Sequence, residues 1–410
     1  MQTTITACRS CGAASLREIL DFGNSPLADV LLDEEDLARE DLRYPLKLVF
    51  CPACALVQIT ENVPPEILYG GNYPYYTSVN RTMVEHFTKS AEAILARHPL
   101  DANSLVIEAA SNDGCMLRPF HARGIGVLGI DPAKGPVDAA NAEGITSLCR
   151  FFDASVAAEL VAQGKRADVI LGNNVLNLAQ DLGDFLRAID LLLKEDGLIV
   201  LEVPYLVDSI DMAAFDNVFH QNTGYYSATS VDRLFRRHGF HLNDIEWIPT
   251  FGGSLRLFFS RNAGAGERVQ EMLLAEKNRG VDTFAFYADF AATVAAIKAE
   301  LSGILERLRA EGKRVVAYGA AGGMATTLLN YLNLDRNTIE YAVDISHHKH
   351  GRYTAGSRLL IHPVEKLLED RPDCVLLLAW NFKDAVLAAQ AAYRAQGGHF
   401  LIPIPKPEIV

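Results

Sequence analysis

The sequence predicts an α/β protein in three parts: a small metal-stapled N-terminal region, a central doubly wound α/β unit, and a second α/β unit at the C-terminal end. Three observations carry this reading. Two C-x-x-C pairs, Cys8-Arg-Ser-Cys11 and Cys51-Pro-Ala-Cys54, lie near the start of the chain. From residue 104, short apolar runs of buried-strand type alternate with helical stretches. After residue 310 that alternation begins again.

The cysteine pairs come first. Four thiolates can converge tetrahedrally on one ion, and soft sulfur ligands favour zinc. With Cys8, Cys11, Cys51 and Cys54 filling every position, such a site is structural rather than catalytic. Residues 12–50 separate the pairs, more than a simple ribbon needs, so a small subdomain must bring them together. The alternative is a set of reduced or disulfide-linked cysteines. The strand-like runs Leu46–Phe50 and Ala55–Ile59 flank the second pair.

Composition bounds the rest. The chain has 410 residues, 49% of them hydrophobic, and a net charge of −13. That is ample material for more than one core. The acidic balance and the lack of a Lys/Arg-rich run argue against a nucleic-acid partner. Cys115, Cys149 and Cys374 are scattered, which fits a reducing cytoplasm. No apolar run reaches transmembrane length and no signal peptide opens the chain. The expectation is a soluble cytoplasmic protein, monomeric or weakly dimeric, with no membrane partner.

In the central unit a helix is expected over 80–97, where Val84, Phe87, Ala91 and Ile94 keep helical spacing. Strands follow at 104–108, 126–130, 167–171 and 197–202, with a helix over 181–194 before the last. In such a unit ligands bind beyond the carboxyl ends of the strands. The C-terminal unit is introduced by an Ala-rich helix over 282–311, read as a packed connector. Its strands are expected at 313–319, 339–343, 374–378 and 399–402.

The strand ends suggest a cofactor. The first runs Ile107-Glu-Ala-Ala-Ser-Asn-Asp-Gly114, an acid followed by small residues that let a ligand approach a helix start. Glu108, Ser111 and Asn112 are the candidates there. A G-x-G-x-x-G spacing is missing, which argues against a pyrophosphate. Asp131 ends the second strand, placed for two ribose hydroxyls. Phe152 and Asp153 follow, suited to cover and bind adenine, and Asn173 and Asn174 end the fourth strand. Acid, acid, aromatic and amide in this order suit S-adenosylmethionine; singly, Asp131 or Asp153 reads equally well as a solvated turn acid.

Nearly the whole chain resembles the three-part sugar-nucleotide C-methyltransferases that build branched deoxysugars of the mycarose, noviose and tetronitrose type. The matching stretches are both cysteine pairs, Asn72–Ser78, Ile107–Gly114, Gly172–Leu176, Phe215–Phe219, Tyr226–Val231 and Gly252–Arg256. In the last part they are Tyr318–Ala320, His348–Tyr353 and Ala379–Asn381. The resemblance implies a zinc-binding domain over 1–75 and a Rossmann-like S-adenosylmethionine methyltransferase domain over 76–262. Residues 263–410 then form a helical connector and a Rossmann-like domain that closes over a nucleotide-linked keto sugar.

The family's proton-abstracting residues are replaced here. A Tyr-x-Glu-His loop is implied after Phe215-Asp216, but the chain reads Phe219-His220-Gln221-Asn222. A second family histidine corresponds to Leu178, and the lysine of a Gly-Ala-x-x-Lys turn corresponds to Gly323. Gln221 and Asn222 cannot accept a proton at neutral pH; they orient. His220 is a titrating group or a packing histidine. The catalytic candidates are therefore His220, Gln221, Asn222 and Tyr76. Tyr75 and Tyr225 are expected at the acceptor or in the core, and Trp380 at a ligand-facing sheet edge or in packing. Lys349 and Arg352, beside a histidine cluster, are expected at a phosphate or on a solvated loop.

The leading expectation is an S-adenosylmethionine-dependent methyltransferase of small-molecule or natural-product biosynthesis. Its family-like acceptor is a nucleotide-linked sugar, with a changed acceptor or reaction that suits an amine, a hydroxyl or a stabilised enol. The alternatives are C-methylation with a relocated base, or a non-methylating protein that binds the cofactor or uses it for another transformation.

Overall fold

The computed structural model describes residues 3–69 and 75–410. Asn72, Tyr73 and Pro74 of the Asn72–Ser78 stretch lie outside the described residues.

The central unit is a seven-stranded sheet. Strand Leu105–Ala109 lies in its middle, between Gly126–Asp131 and Ala167–Asn173, and all three run parallel. Ser147–Cys149 extends one side in parallel and Leu193–Pro204 the other. Ser254–Ser260 then runs antiparallel, with His241–Ile248 on the edge. The first four predicted strands are present, covered on both faces and therefore nearly all apolar. Ser147–Cys149, His241–Ile248 and Ser254–Ser260 were not foreseen: the first is short, and the edge strand is only half-buried and mixes polar with apolar residues. Because the chain leaves Leu105–Ala109 in one direction and returns on its other side, a crevice opens at that strand's carboxyl end.

Helix Arg81–Arg97 forms where its spacing predicts. Asn80 caps it by accepting from the Thr82 amide, and Met83, Phe87, Ala91 and Ile94 turn inward.

The N-terminal region is a four-stranded antiparallel sheet in which Arg17–Pro26, Arg43–Phe50 and Val57–Ile59 are joined by Gly224–Tyr225. Its fourth strand thus comes from the central region. The two cysteine pairs form matching turns: Gly12 N–H donates to Cys8 O and Ala55 N–H to Cys51 O, both at a left-handed φ. Glycine takes that conformation readily; Ala55 holds it at some cost.

The C-terminal unit is built on a six-stranded sheet. Ile361–Pro363, Ala342–Asp344, Val315–Tyr318, Cys374–Leu377 and His399–Ile402 are parallel, and Glu408–Ile409 closes the edge antiparallel. The strand expected from residue 339 begins at Ala342. The connecting helix begins at Phe290 rather than 282. The Tyr287 ring sits 5.0 Å from Phe50 and its hydroxyl donates to Val281 O, pinning Phe284–Tyr287 as a tight 3₁₀ turn. From Phe290 on, Val294, Ile297, Leu301 and Leu305 bury one face, as a packed connector should.

One hydrophobic core joins this helix, the C-terminal sheet and the N-terminal sheet; a second joins Cys8, Cys51 and Cys54 to the central sheet. The N-terminal region is thereby wedged between the two larger units. Among the described residues no single helix is long and apolar enough to cross a membrane.

Candidate active site

The four cysteine sulfurs lie within 4.8 Å of one another, with Cys8 and Cys54 at 3.5 Å and Cys11 and Cys51 at 3.6 Å. A tetrahedron of Zn–S bonds requires sulfurs about 3.8 Å apart, so the cluster has the right size. The contact with Cys54 draws the Cys8 pKa down to about 4, and Gln58 donates to the Cys8 sulfur as a zinc-bound thiolate requires. Between the first two cysteines, Arg9 donates to the carbonyls of Ile59, Glu61 and Gln180. The metal turn is thus tied to the Leu178–Asp181 segment of the central unit.

That segment borders a cavity of about 620 Å³, lined by all three parts of the chain and within the range of small-molecule sites. One end lies at the crevice predicted by the sheet topology. The turn after Leu105–Ala109 has left-handed residues at Ala110, Asn112 and Gly114. Gly114 is required there, because a Cβ would stand 2.8 Å from Ile145 as well as at positive φ. Asp131 ties this turn to the next: its carboxylate accepts from Asn112 N–H at 2.9 Å and Ala133 N–H at 2.8 Å. Glu108 accepts from the Asn173 amide at 3.0 Å, and burial raises its pKa well above the usual carboxylate range. Its second oxygen and the Ser111 hydroxyl are buried without a partner, the state of groups that a ligand satisfies. Glu108, Ser111, Asn112, Asp131, Phe152, Asn173 and Asn174 all line this end. Asp153 lines it too, but its Oδ1 caps helix Ala154–Ala162 by accepting from Val156 N–H, so adenine is not its first partner.

The other end is formed by Asp29, Tyr69, Asn177, Leu178, Asn217, Phe219, Gln221, Asn222 and the turn Gly322–Met324. The five positions where the chain departs from the family pattern therefore share one cavity wall. Two of them touch: a Cβ at Gly323 would lie 2.4 Å from the Phe219 ring, so the phenyl fills the space a side chain at 323 would need. Asn222 accepts from the Asn177 amide at 2.7 Å and donates to Asn217 O. Tyr75 also lines the cavity, and its carbonyl accepts from the Asn112 side chain.

Three family models cover the chain: a zinc binding domain over 8–69, a methyltransferase domain over 83–244, and a C-methyltransferase C-terminal domain over 249–405. The C-methyltransferase NovU of Streptomyces niveus is 32% identical over 99% of this chain and 97% of its own length. The chain belongs to this C-methyltransferase family. It is an S-adenosylmethionine-dependent methyltransferase with a zinc-binding N-terminal region. A ubiquinone biosynthesis O-methyltransferase of Rhodopseudomonas palustris is 29% identical, over 26% of this chain and 43% of its own. The magnesium protoporphyrin IX methyltransferase of Synechocystis, solved with bound S-adenosylhomocysteine, shares 15% identity over 45% of this chain and 88% of its own. Its TM-score is 0.36.

The cavity suits this methyltransferase's cofactor. Among its described lining residues there is no Lys, Arg or His, whereas Asp29, Glu108, Asp131, Asp153, Asp181 and Asp184 all contribute. A sulfonium is a cation, and neighbouring carboxylates favour it. When bound there, S-adenosylmethionine supplies an electrophilic methyl group. The cysteine cluster fits zinc by distance and by donor type.

Several expected site residues lie elsewhere. His220 is 1% exposed and absent from the cavity wall. Its Nε2 meets Pro45 O at 3.0 Å, its ring packs edge-on to Tyr44, and burial lowers its pKa. It packs the N-terminal region against the loop and cannot reach an acceptor in this cavity. Tyr76 stacks on His348 at 4.3 Å and lies over Gly135, off the cavity wall. Tyr225 is buried in the N-terminal sheet, where its hydroxyl donates to Asn217 O. Lys349 is held by Asp344 and Ala320 O within the C-terminal unit, whereas Arg352, held by Asp33 and Leu31 O, joins that unit to the N-terminal region. Trp380 donates to the buried Asp216 at 2.6 Å and packs on Gly252. Gln221 and Asn222 do reach the cavity. Asp29, Tyr69 and Asn177 were not anticipated. Asn177 alone carried a signal, as a polar residue just past the fourth strand's end.

Proposed function

We propose that this methyltransferase places a methyl group on carbon, next to a ketone, in a small molecule of natural-product biosynthesis. The family-like acceptor is a nucleotide-linked keto sugar. The reading rests on one observation above the rest: a single cavity runs from the Glu108–Asp131 end to the Gln221–Gly323 wall, so cofactor and acceptor meet between units. Glu108, Ser111, Asn112, Asn173 and Asn174 would hold the amino-acid part of the cofactor, with Asp131 on the ribose and Phe152 against adenine. The described lining residues include no Lys, Arg or His, so no side-chain cation waits inside for an acceptor phosphate. Any phosphate has the backbone amides at the start of helix Gly323–Tyr331 to meet it there, or lies beyond the mouth. Phe219 and Gly323 replace polar groups with an apolar contact, which favours a less hydroxylated ring.

The test is transfer of isotope-labelled methyl to a panel of neutral and nucleotide-linked keto sugars, amines and hydroxyl compounds, read by mass spectrometry. Label on a ring carbon next to the ketone of a keto sugar supports the reading. Label confined to amine or hydroxyl acceptors would overturn it.

A further inference from the structure

Removing a proton from carbon requires a base, and the cavity wall contains one that the sequence pattern does not point to. Asp29 lies in the loop after strand Arg17–Pro26, far from the central unit in sequence, yet it lines the cavity beside Gln221. Its backbone has a left-handed φ of 58°, and its N–H donates to Ala321 O at 2.7 Å, so the C-terminal turn fixes it in place. Such a conformation is uncommon outside glycine and is best tolerated by Asp and Asn. The Gln221 amide donates to Ala28 O at 2.9 Å and reaches an Asp29 carboxylate oxygen at 3.3 Å. Asp29 is thus fixed through its backbone by the C-terminal turn and through its carboxylate by Gln221 of the central unit.

We propose that Asp29 is the catalytic base of carbon methylation, with Gln221 as its positioning residue. The inference rests on the carbon-methylation reading above. In the step, a carboxylate oxygen of Asp29 takes the proton from the carbon next to the acceptor's ketone. The C–H electron pair becomes the enolate double bond, with charge on the carbonyl oxygen. The enolate carbon then bonds to the sulfonium methyl, the S–C pair stays on sulfur, and the ketone re-forms. Asp29 ends protonated and returns its proton to water.

The electrostatics suit this role. Burial, opposed by Lys349 and reinforced by Asp344, lifts the Asp29 pKa from 3.8 to about 6. A base with a pKa near the working pH is both ionised and basic enough to act. Burial keeps the Tyr69 and Tyr75 hydroxyls protonated, Tyr75 up at about 12, and the Asp29 charge adds to this. Gln221 is neutral, so it orients Asp29 without competing for the proton; a second carboxylate at 3.3 Å would drive the shared pKa upward.

The experiment compares wild type, Asp29→Asn and Gln221→Glu, with a nucleoside-diphosphate 4-keto-6-deoxyhexose and the corresponding free keto sugar as probes. Asn keeps the left-handed backbone, and calorimetry with S-adenosylhomocysteine checks that the cofactor site is intact. The expected result is a 10²–10⁴-fold fall in turnover for Asp29→Asn, with cofactor affinity within about threefold of wild type. The wild-type rate should rise as pH rises through about 6, and Gln221→Glu should move that limb to higher pH. Infrared titration without any acceptor should show a carboxyl band that ionises near pH 6 and is lost in Asp29→Asn. Undiminished methylation of carbon by Asp29→Asn, or no such band, would overturn the assignment of Asp29 alone. Label appearing only on a heteroatom with wild type would instead overturn the carbon reading and the base role together.

Discussion

Asp131→Ala tests the cofactor end most sharply, because this carboxylate has two tasks. It accepts Asn112 N–H and Ala133 N–H, latching two turns, and its remaining lone pairs face the cavity. A hydrogen bond to a charged acceptor contributes about 1.5–3 kcal/mol. Losing one such bond to the ribose raises the cofactor Kd roughly 10- to 150-fold. The two stranded N–H groups cost stability as well, about 1–3 kcal/mol each if they stay dry. Isothermal calorimetry with S-adenosylhomocysteine at neutral pH reads the first effect and thermal unfolding without ligand reads the second. Burial raises the Asp131 pKa above 3.8. Its contribution to folding is therefore fullest below pH 3.8 and fades as pH rises through the raised value. Cofactor affinity runs the other way, falling as the carboxylate protonates. A folded Asp131→Ala protein with unchanged Kd would show that the ribose lies elsewhere.

Three further outcomes are expected. Elemental analysis should give one zinc per chain, and chelation should weaken cofactor binding along with stability, because Arg9 couples the metal turn to the Gln180 carbonyl; metal-free protein with native cofactor affinity would refute that coupling. Asp216 is fully buried at the Trp380 joint with a pKa raised to about 7, so its stabilisation should be full below pH 3.8 and lost as pH rises through 7. Asp216→Asn should flatten that dependence of melting temperature, and an unaltered slope would contradict it. Gly323→Ala should cost about 1–3 kcal/mol by overpacking against Phe219, and Phe219→Leu should recover part of it; a double-mutant cycle without coupling would refute the contact.

What the sequence revealed followed from how local each signal was. The cysteine pairs were legible because each turn is made by adjacent residues, and soft ligands leave few choices of metal. Asp131 and Asn173 were legible because strand ends in a doubly wound sheet converge by topology. His220, Lys349 and Arg352 misled for a common reason: a titratable side chain beside a matched motif reads as chemistry until its partner is visible. Of their partners, Pro45 and Asp33 belong to contacts that hold the parts of the chain together, and Asp344 holds Lys349 inside the C-terminal unit. Asp29 was hidden for the converse reason. Nothing near it in sequence suggests an active site, and its placement depends on Ala321 and Gln221, both distant along the chain. The late start of the Phe290–Ala310 helix depended likewise on a distant ring, Phe50.

The most direct measurement is a crystal structure of the protein with S-adenosylhomocysteine and a keto-sugar nucleotide bound together. The account predicts the ribose on Asp131 and the sulfur facing the Gln221–Gly323 wall. The carbon next to the ketone should lie between that sulfur and the Asp29 carboxylate, within hydrogen-bond reach of the latter. A sugar bound outside the cavity, or a ketone-flanking carbon on the far side from Asp29, would contradict it.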